Sequence, residues 1–268
     1  MRVAILYYSA TGTTELVCEA VRERLPDISI DLLDMMKVKP SDCAAYDVLG
    51  FAFFADLMRP SPYFIDFVSK IQAVEEKPTF IINTFGSTGG QSPVIAFHLL
   101  QKKGMVVFAS HSLHTPESFP PLIKAGLGFS QHPTPAEMRR FERFVRQVGE
   151  ILRQIEAGTD LTEHTPKLDL ISRLAPRDLA DLLPRQFGPK EFSIDTQRCV
   201  QCGKCARHCP GKAISLGDLP RIDRSLCQQC WACYNACLKK AVQVGKLRGE
   251  AQYSGPSVVL RKKLLQRD

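Results

Sequence analysis

Eight of the ten cysteines lie close together in the 268-residue chain, between Cys199 and Cys237. They form two runs with the spacing C-x₂-C-x₂-C-x₃-C, and Cys227 opens the second run 28 residues after Cys199 opens the first. The repeat extends beyond the thiols, since "IDTQRCVQCGKCARHCPGKAISLG" aligns with "IDRSLCQQCWACYNACLKKAVQVG". A tandem duplication of this kind predicts two similar half-units that pack against each other.

Thiols bunched in this way are more typical of metal ligands than of disulfides. Disulfide frameworks usually tie distant loops of small secreted domains, whereas this chain is long and its N-terminal segment is interpreted as a strand rather than a signal peptide. Zinc ribbons usually use two C-x₂-C pairs and lack a third cysteine three residues further on. The spacing therefore favours iron–sulfur clusters, with a pair of zinc sites as the alternative.

Residues 191–245 resemble the bacterial ferredoxins that hold two 4Fe–4S clusters. In these proteins the fourth cysteine of each run ligates the other cluster. The resemblance implies two crossed ligand sets, which are Cys199, Cys202, Cys205 and Cys237 for one cluster and Cys227, Cys230, Cys233 and Cys209 for the other. Gly203 fits a close approach of the backbone to a cluster. Pro210 follows the first run but Leu238 follows the second, so we expect the two reduction potentials to differ.

The same region carries an excess of positive charge. Residues 195–245 contain eight Lys or Arg and three Asp or Glu, a net charge of +5, whereas residues 1–158 have a net charge of −1. Such a basic face is either a solvated surface or a docking site for an acidic redox protein, and we favour the docking site. Nucleic acid is not the expected partner, because the region has few aromatic side chains on which bases could stack.

The first 158 residues must form a different scaffold, because they alternate between predicted strands and helices. The strands are mostly near-continuous apolar runs, and the last helix begins with Thr134, Pro135 and Glu137 in the pattern of a capping box. Predicted strands lie at 2–9, 27–35, 46–54, 78–86 and 105–113, and predicted helices at 13–25, 63–71, 94–104 and 134–158. This alternation predicts an α/β fold with a parallel sheet covered on both faces.

A second candidate site is the loop between the first strand and the first helix, "YSATGTTE" at 8–15. It offers hydroxyl groups and backbone amides at a helix N-terminus, where phosphate binds readily. It contains no Lys or Arg and matches neither a Walker loop nor the G-x-G-x-x-G pattern. These residues alone leave a phosphate site and an ordinary helix N-cap open as alternatives. The candidate phosphate-binding residues are Ser9, Ala10, Thr11, Gly12, Thr13 and Thr14.

This loop resembles the phosphate loop of flavodoxins, in which S/T-x-T-G-x-T holds the phosphate of FMN. The resemblance implies a flavodoxin-like, doubly wound sheet of five parallel strands in the order 2-1-3-4-5 over residues 1–158. It places the flavin at the carboxyl ends of the strands. Two further loops, at 51–63 and 83–90, fall where that family contacts the flavin ring. The ring-contact residues implied are Phe53, Phe54, Asn83, Thr84, Phe85 and Gly86.

Three other residues with suitable chemistry receive no role from the sequence. Asp56, in the loop at 51–63, is interpreted as a solvated loop residue. His111 and His114 follow the fifth predicted strand with two residues between them. They have no third ligand near them in the sequence, so they are not predicted to bind a metal.

Residues 1–158 and 191–245 together resemble the flavodoxin–ferredoxin fusion proteins of the EFR1 type. The expected organisation is an FMN-binding domain at 1–158, a connector with short helices at 159–190, a small α+β ferredoxin-like domain at 191–245 and a basic tail at 246–268. No run approaches the roughly 18 apolar residues of a membrane helix. We therefore expect a cytoplasmic protein without a membrane span.

The resulting hypothesis is electron transfer between FMN, two 4Fe–4S clusters and external redox proteins. One alternative is a flavin-dependent reductase of a small acceptor of the quinone or nitro type, fed by the clusters. It ranks second because no acid–base constellation supports it, and no catalytic residue is predicted. Another alternative is a redox sensor whose basic tail binds a partner, although such tails are more often solvated termini. The sequence is compatible with a homo-oligomer and does not identify the partners.

Overall fold

The computed structural model of the chain describes residues 1–158, 162–166, 191–217 and 219–266. The predicted connector with short helices at 159–190 therefore lies outside the described residues, apart from 162–166, which form neither helix nor strand. Within the described part of the chain, no helix is both long and apolar enough to cross a lipid bilayer.

A parallel sheet forms the centre of the first part of the molecule. Its strands are β1 (Val3–Tyr7), β2 (Ile30–Asp34), β3 (Val48–Asp56), β4 (Arg59–Pro60), β5 (Lys77–Phe85) and β6 (Met105–His114). The main order is β2-β1-β3-β5-β6, and the two-residue β4 pairs antiparallel with the end of β3. Apart from β4 this is the strand order of a flavodoxin-like doubly wound sheet, so the predicted fold class is confirmed.

Helices cover both faces of this sheet, as its two apolar faces require. They are α1 (Thr13–Arg24), α2 (Pro62–Ser69), α3 (Ser92–Gln101), α4 (Pro120–Lys124) and α5 (Pro135–Glu156). One core joins the sheet to α1 and α5, and a second core joins it to α2 and α3. The predicted capping box of α5 is present, because Thr134 and Glu137 each accept a hydrogen bond from the other's backbone N–H.

The second part contains the cysteine repeat and is built from short elements. They are β7 (Phe192–Ile194), α6 (Lys204–Arg207), β8 (Ile214–Leu216), β9 (Pro220–Ile222), α7 (Ala232–Ala236) and β10 (Val242–Val244). Strand β7 pairs with β10, and β8 pairs with β9, both antiparallel. A small apolar core that includes Phe192, Trp231 and Tyr234 lies between the two half-units, as expected for an α+β domain of this size.

The basic C-terminal segment returns to the first part as a helix, α8 (Val258–Leu265). Leu260 and Leu264 are buried in the core formed by α1 and α5, and the Arg24 guanidinium donates a hydrogen bond to the Leu264 carbonyl. The expectation of a solvated terminus is therefore wrong for Leu260 and Leu264, although Val258 and Val259 of the same helix are exposed. Two leucines four residues apart are the sequence signal for this buried face.

Candidate cofactor sites

The two cysteine runs fold into matching loops, each leading into a short helix. The Sγ atom of Cys209 accepts a hydrogen bond from the Ala213 N–H over 3.2 Å, and the Sγ atom of Cys237 accepts one from the Ala241 N–H over 3.2 Å. These positions are equivalent in the repeat. The local backbone therefore follows the sequence repeat, and it aims amide groups at sulfur, an arrangement that tunes iron–sulfur clusters.

The eight thiols of the repeat form two groups of neighbours. The pKa of Cys205 is raised first by burial and then by the charges of three other cysteines, Cys237, Cys199 and Cys202. The pKa of Cys233 is likewise raised first by burial and then by a different set, Cys230, Cys209 and Cys227, with Cys205 last. We call Cys199, Cys202, Cys205 and Cys237 the outer group, and Cys209, Cys227, Cys230 and Cys233 the inner group.

One cysteine of each group, and the short helix beside it, differ in burial. Cys202 of the outer group is exposed, and no residue of the neighbouring helix α6 is buried. Cys233 of the inner group is buried, as are four of the five residues of α7. Burial also raises the pKa of the Cys230 thiol to about 12. The inner group therefore faces the interior of the molecule.

Trp231 marks a clear difference between the two half-units. Its backbone φ is 61°, in the left-handed region, and the equivalent residue of the first half-unit is Gly203 with a φ of 73°. This conformation costs a residue with a Cβ roughly 1–2 kcal/mol. The indole is only 8 % exposed, and it packs edge-on against Phe119 and Phe192 at ring distances of 5.3 and 5.2 Å. Its burial offsets the backbone cost.

Helix α7 docks on the first part through polar contacts. The Asn235 side-chain amide donates a hydrogen bond to the Ser118 carbonyl over 2.8 Å, and its oxygen accepts one from the Tyr253 N–H over 3.0 Å. Lys124 and Glu250 form an ion pair across the same boundary at 2.8 Å. The inner cysteine group is thus fixed against the loops that follow β6.

The predicted phosphate loop lies between β1 and α1. Gly12, with a φ of 88°, precedes α1, and no side chain caps that helix. Among the described residues, the buried Ser9 hydroxyl has no hydrogen-bond partner, and neither has the Thr11 backbone N–H. The Thr14 hydroxyl lies 2.9 Å from the Thr84 hydroxyl. Ala10 is partly buried against the core. The loop therefore keeps donors free at a helix N-terminus, as an anion site requires.

The segment before α8 runs directly over this loop. The Tyr253 hydroxyl lies 2.9 Å from the Thr13 hydroxyl, and a Cβ on Gly12 would lie 3.4 Å from the Pro256 ring. This contact was missed from the sequence because 240 residues separate Thr13 from Tyr253. The C-terminal segment therefore links the phosphate loop to helix α7, which it also contacts through the Tyr253 N–H.

A cavity of about 190 Å³ opens at the carboxyl ends of β3, β5 and β6. The end of β3 and the loop after it, the loop after β5 and the segment after β6 form most of its wall. The second part closes the wall with two residues of the inner group's loop. The lining residues are Phe54, Ala55, Asp56, Leu57, Met58, Gly86, Ser87, Thr88, Glu117, Ser118, Phe119, Leu122, Cys230 and Trp231.

Two of the predicted ring-contact residues, Phe54 and Gly86, line this cavity. Phe53 is fully buried instead, and its ring centroid lies 4.1 Å from that of Phe64 in the core. Asn83 donates a hydrogen bond to the Ser112 hydroxyl over 3.2 Å, while its side-chain oxygen is buried without a partner among the described residues.

The remaining two predicted ring-contact residues, Thr84 and Phe85, contact other parts of the molecule. Thr84 is buried and contacts the phosphate loop through Thr14. The ring of Phe85 stacks on that of His114 at a centroid distance of 4.9 Å.

Glu117 is a structural element of the cavity that the sequence did not single out. Its carboxylate accepts hydrogen bonds from the N–H groups of Ser87, Ser118 and Phe119 over 2.8–3.0 Å. A Cβ at Gly86 would lie 2.5 Å from this carboxylate, so Gly86 is required for the close approach. Glu117 therefore ties the loop after β5 to the segment after β6. No local sequence pattern marks such a contact, because the residues lie about 30 positions apart.

Asp56 is not the solvated loop residue that the sequence suggested. It ends β3, is partly buried and lines the cavity. Burial, followed by the charge of Glu117, raises the pKa of Asp56 to about 6. The Asp56 charge in turn raises the pKa of Cys230. An ionisable carboxyl group therefore lies within electrostatic reach of the inner cysteine group.

Tyr8 directly follows β1 and lies near the inner group. Its hydroxyl is buried and has no hydrogen-bond partner among the described residues. Burial raises the pKa of Tyr8 well above its ordinary value, and the charge of the nearby Cys230 raises it further. The carboxyl end of β1 therefore lies within electrostatic reach of a cysteine of the repeat.

Comparison with known protein families finds a sequence match in the second part of the molecule. Residues 192–215 match the family model of the 4Fe-4S binding domain. No curated protein matches the chain significantly.

Several solved structures resemble the first part at low identity. A flavodoxin from the domain Archaea is 14% identical, with a TM-score of 0.42, over 57% of this chain and 99% of its own. A flavodoxin from Streptococcus pneumonia TIGR4 is 14% identical, with a TM-score of 0.43, over 56% and 99%. The rubredoxin oxygen:oxidoreductase of Desulfovibrio gigas is 16% identical, with a TM-score of 0.46, over 58% of this chain and 37% of its own. The fold assignment of the first part therefore rests on its strand order and not on these similarities.

The chain thus combines a sheet with flavodoxin-like strand order and a segment that matches the 4Fe-4S binding domain. The residues present also fit both kinds of group. Eight thiols in two neighbouring groups suit iron–sulfur ligation, and the partnerless hydroxyl of Ser9 beside an uncapped helix suits an anion.

Proposed function

We propose that this chain transfers electrons between an FMN held by residues 1–158 and two 4Fe–4S clusters held by residues 191–245, and onward to external redox proteins. One observation carries the proposal. Cys230 and Trp231 form part of the wall of the cavity at the carboxyl ends of the parallel strands, which is where doubly wound folds bind their ligands. A candidate cluster ligand therefore lines the candidate flavin site.

The phosphate loop would hold the FMN phosphate through uncharged donors. The Ser9 hydroxyl and the Thr11 N–H have no competing partner among the described residues, and the N-terminus of α1 adds a favourable dipole. Phe54, Gly86 and the residues around them would contact the ring, because they line the cavity. Phe53 would support the ring only indirectly, through the core.

The crossed ligand sets follow the two cysteine groups. The outer group would bind one cluster and the inner group the other, which is the assignment that the ferredoxin resemblance implies. The separate neighbours of Cys205 and Cys233 support this assignment. When bound, FMN exchanges electrons singly or in pairs, whereas each cluster exchanges single electrons.

The chain itself fixes how close the two cofactor sites are. Glu117 holds two of the cavity loops together, and Trp231 packs against Phe119. These contacts hold the loop that carries Cys230 at the cavity. The C-terminal segment adds a second connection, because Tyr253 contacts both the phosphate loop and α7.

The outer group would serve external partners. Its surroundings are basic, with a net charge of +5 over residues 195–245, and they expose apolar side chains such as Val200 and Leu238. A basic surface with exposed apolar residues suits an acidic redox protein. Eight cysteines that must stay reduced to bind clusters suit a reducing compartment, which supports a cytoplasmic location.

The test is anaerobic purification followed by analysis of iron, sulfide and flavin, with electron paramagnetic resonance of the reduced protein. We expect about eight irons and one FMN per chain, together with signals from two 4Fe–4S clusters. Zinc in place of iron at the cysteines would contradict the proposal. Iron without flavin would contradict only the FMN-binding role of residues 1–158 and leave the cluster assignment standing.

A further inference from the structure

Two histidines and one glutamate converge behind the loop that follows β5. The Nδ1 atom of His132 lies 2.8 Å from Glu137 Oε2, and the Nδ1 atom of His114 lies 3.4 Å from Glu137 Oε1. The ligand atoms of the three residues all lie within 4.8 Å of one another. The side chains are only 15–16 % exposed. None of them belongs to the cofactor sites described above.

The separations suit ligands of a single small cation. Zinc binds imidazole nitrogen and carboxylate oxygen at about 2.0–2.2 Å. Two ligands of one tetrahedral ion are then about 3.3 Å apart, and no two ligands are more than about 4.4 Å apart. The contact between His114 and Glu137 falls at the tetrahedral value, and the widest pair, at most 4.8 Å apart, needs to close by up to about 1.5 Å.

Ordinary hydrogen bonding satisfies only part of this cluster. Glu137 Oε2 accepts hydrogen bonds from the N–H and hydroxyl of Thr134 over 2.6 and 2.9 Å and also contacts His132. Among the described residues, Glu137 Oε1 contacts only His114, over 3.4 Å, which is too long for a good hydrogen bond. The rings of His114 and His132 stack at a centroid distance of 3.5 Å with an interplanar angle of 23°. Both Nδ1 atoms approach the Glu137 carboxylate, and one imidazole must turn out of the stack for both nitrogens to point at one ion.

A cavity of about 450 Å³ adjoins the cluster. His114 and Glu137 line it, together with His111, Arg140 and His164. The Nε2 atom of His111 is buried without a hydrogen-bond partner among the described residues. An ion held by the cluster would therefore have an open coordination position toward a space with further nitrogen donors. Arg140 would favour an anion or a hydroxide bound at that position.

We propose that His114, His132 and Glu137 bind one divalent transition-metal ion of the zinc type, with an open position toward the adjoining cavity. Two histidines and one carboxylate are a known ligand set for zinc sites that keep an exchangeable fourth ligand. Because the His114 ring stacks on Phe85, the bound ion would also brace the loop after β5. The proposal is independent of which cofactors the rest of the chain binds.

The chain spacing explains why this site cannot be found in the sequence. His114 ends β6, His132 lies in the loop before α5, and Glu137 stands in the first turn of α5. The sequence shows Glu137 only as a capping residue, a role that it retains. His111, which has the conventional spacing to His114, stacks on Phe144 instead of joining the cluster.

The test is zinc analysis of the intact protein, purified anaerobically with its iron in place and then gel-filtered after incubation with equimolar zinc chloride. We expect about one zinc per chain that is retained through gel filtration. His132→Ala and Glu137→Gln should lower the retained zinc by at least about tenfold, because loss of even an outer-shell partner costs 10–100-fold in affinity. The Gln variant can still cap α5.

His98→Ala is the matched control, since His98 is an exposed histidine of α3. It should retain the same zinc as the unmodified protein, and all variants should keep their iron and flavin contents. X-ray data from either side of the zinc absorption edge should place a zinc-specific peak between the three side chains. Retention of zinc in both ligand variants, or no retained zinc in the unmodified protein, would show that the cluster is only a hydrogen-bonded imidazole pair.

Discussion

The two cysteine half-units are nearly equivalent in sequence but lie in different surroundings. The first half-unit leaves Cys202 exposed and buries no residue of α6. The second half-unit buries most of α7 and brings Cys230 to the cavity at the end of the parallel sheet. Duplication therefore explains the matching backbone of the two loops, whereas docking on the flavodoxin-like part explains their different burial.

This difference gives the proposed electron path a direction. The inner group faces the candidate flavin site, and the outer group faces solvent among basic side chains. On the proposed assignment, the inner cluster would be an internal relay and the outer cluster an external contact. Each of the following predictions tests one part of this distinction.

Loss of a crossed ligand should have the largest effect. Cys209→Ser should remove the cluster of the inner group, and Cys237→Ser should remove that of the outer group, because each serine leaves one iron without its thiolate. Each variant should retain about four of eight irons. After flash photoreduction of the flavin, electrons should reach the remaining cluster much more slowly in Cys209→Ser than in Cys237→Ser.

The two serine variants control for each other, since each removes one equivalent thiol of the repeat. If Cys209→Ser kept fast electron transfer from the flavin and Cys237→Ser lost it, the crossed assignment would be wrong. Loss of all iron in both variants would show instead that the two half-units fold only together.

Replacement of Trp231 by glycine, the residue at the equivalent position 203 of the first half-unit, should have the next largest effect. Trp231→Gly relieves the left-handed backbone, worth roughly 1–2 kcal/mol, but removes a buried indole worth about 3–5 kcal/mol. We expect a net loss of about 2 kcal/mol, equivalent to roughly 30-fold in an equilibrium or rate. The measurement is the rate at which the visible absorbance of the clusters bleaches in guanidinium chloride.

Gly203→Ala is the counterpart in the first half-unit. A Cβ at Gly203 would lie 2.8 Å from the Arg207 guanidinium, at a φ of 73°, so we expect a cost of about 1–2 kcal/mol. Bleaching in this variant should begin with the outer cluster, whereas in Trp231→Gly it should begin with the inner cluster. The same order of bleaching in both variants would contradict independent roles for the two positions.

The carboxyl group of Asp56 should make only the inner cluster sensitive to pH. Burial and the charge of Glu117 raise the pKa of Asp56 to about 6. Protonation of Asp56 below that pH removes a negative charge near Cys230. Because an added electron is then repelled less, the reduction potential of the inner cluster should rise as the pH falls. The slope between about pH 5 and 7 should stay below about 59 mV per unit, the one-electron equivalent of a tenfold change.

Potentiometric titration followed by electron paramagnetic resonance can measure both clusters in one sample. Asp56→Asn should abolish the pH dependence of the inner cluster and raise its potential at neutral pH. The outer cluster should show no such step in either protein. An unchanged slope in Asp56→Asn would assign the dependence to another group.

The parts of the molecule that follow local rules were predictable from the sequence. The spacing of the cysteines indicates cluster ligands because three thiolates must reach one cluster from a single loop. The apolar strands indicate a parallel sheet because both of its faces are covered. The capping box at Thr134 is likewise local, and it was found at the predicted position.

The contacts that join these parts were not predictable, because they depend on how distant segments pack. Tyr253 reaches Thr13 across 240 residues, and Glu117 reaches Ser87 across 30. Phe53 and Phe54 are adjacent in the sequence, yet alternation along β3 buries Phe53 in the core and leaves Phe54 at the cavity. The face of the sheet to which each of the two side chains points had to be known before either role could be assigned.

The smallest expected effect concerns the basic surface around the outer group. Lys239 is exposed and follows Cys237 by two residues. Lys239→Glu should slow oxidation of the reduced protein by the anion ferricyanide about two- to fivefold at low ionic strength, because it weakens electrostatic attraction at the exit point. The cation hexamminecobalt(III) should react faster with the same variant. Salt near 1 M should remove both effects, since the Debye length then falls to about 3 Å.

Lys102→Glu provides the matched control. Lys102 is exposed at the end of α3, at the edge of the sheet opposite to the cavity, because α3 starts near the carboxyl end of β5 and runs back. Both variants lower the net charge of +7 by two, so a uniform charge effect would slow ferricyanide equally in the two proteins. A loss confined to Lys239→Glu would place the exit of electrons at the outer group, whereas equal losses would leave the basic face as a solvated surface.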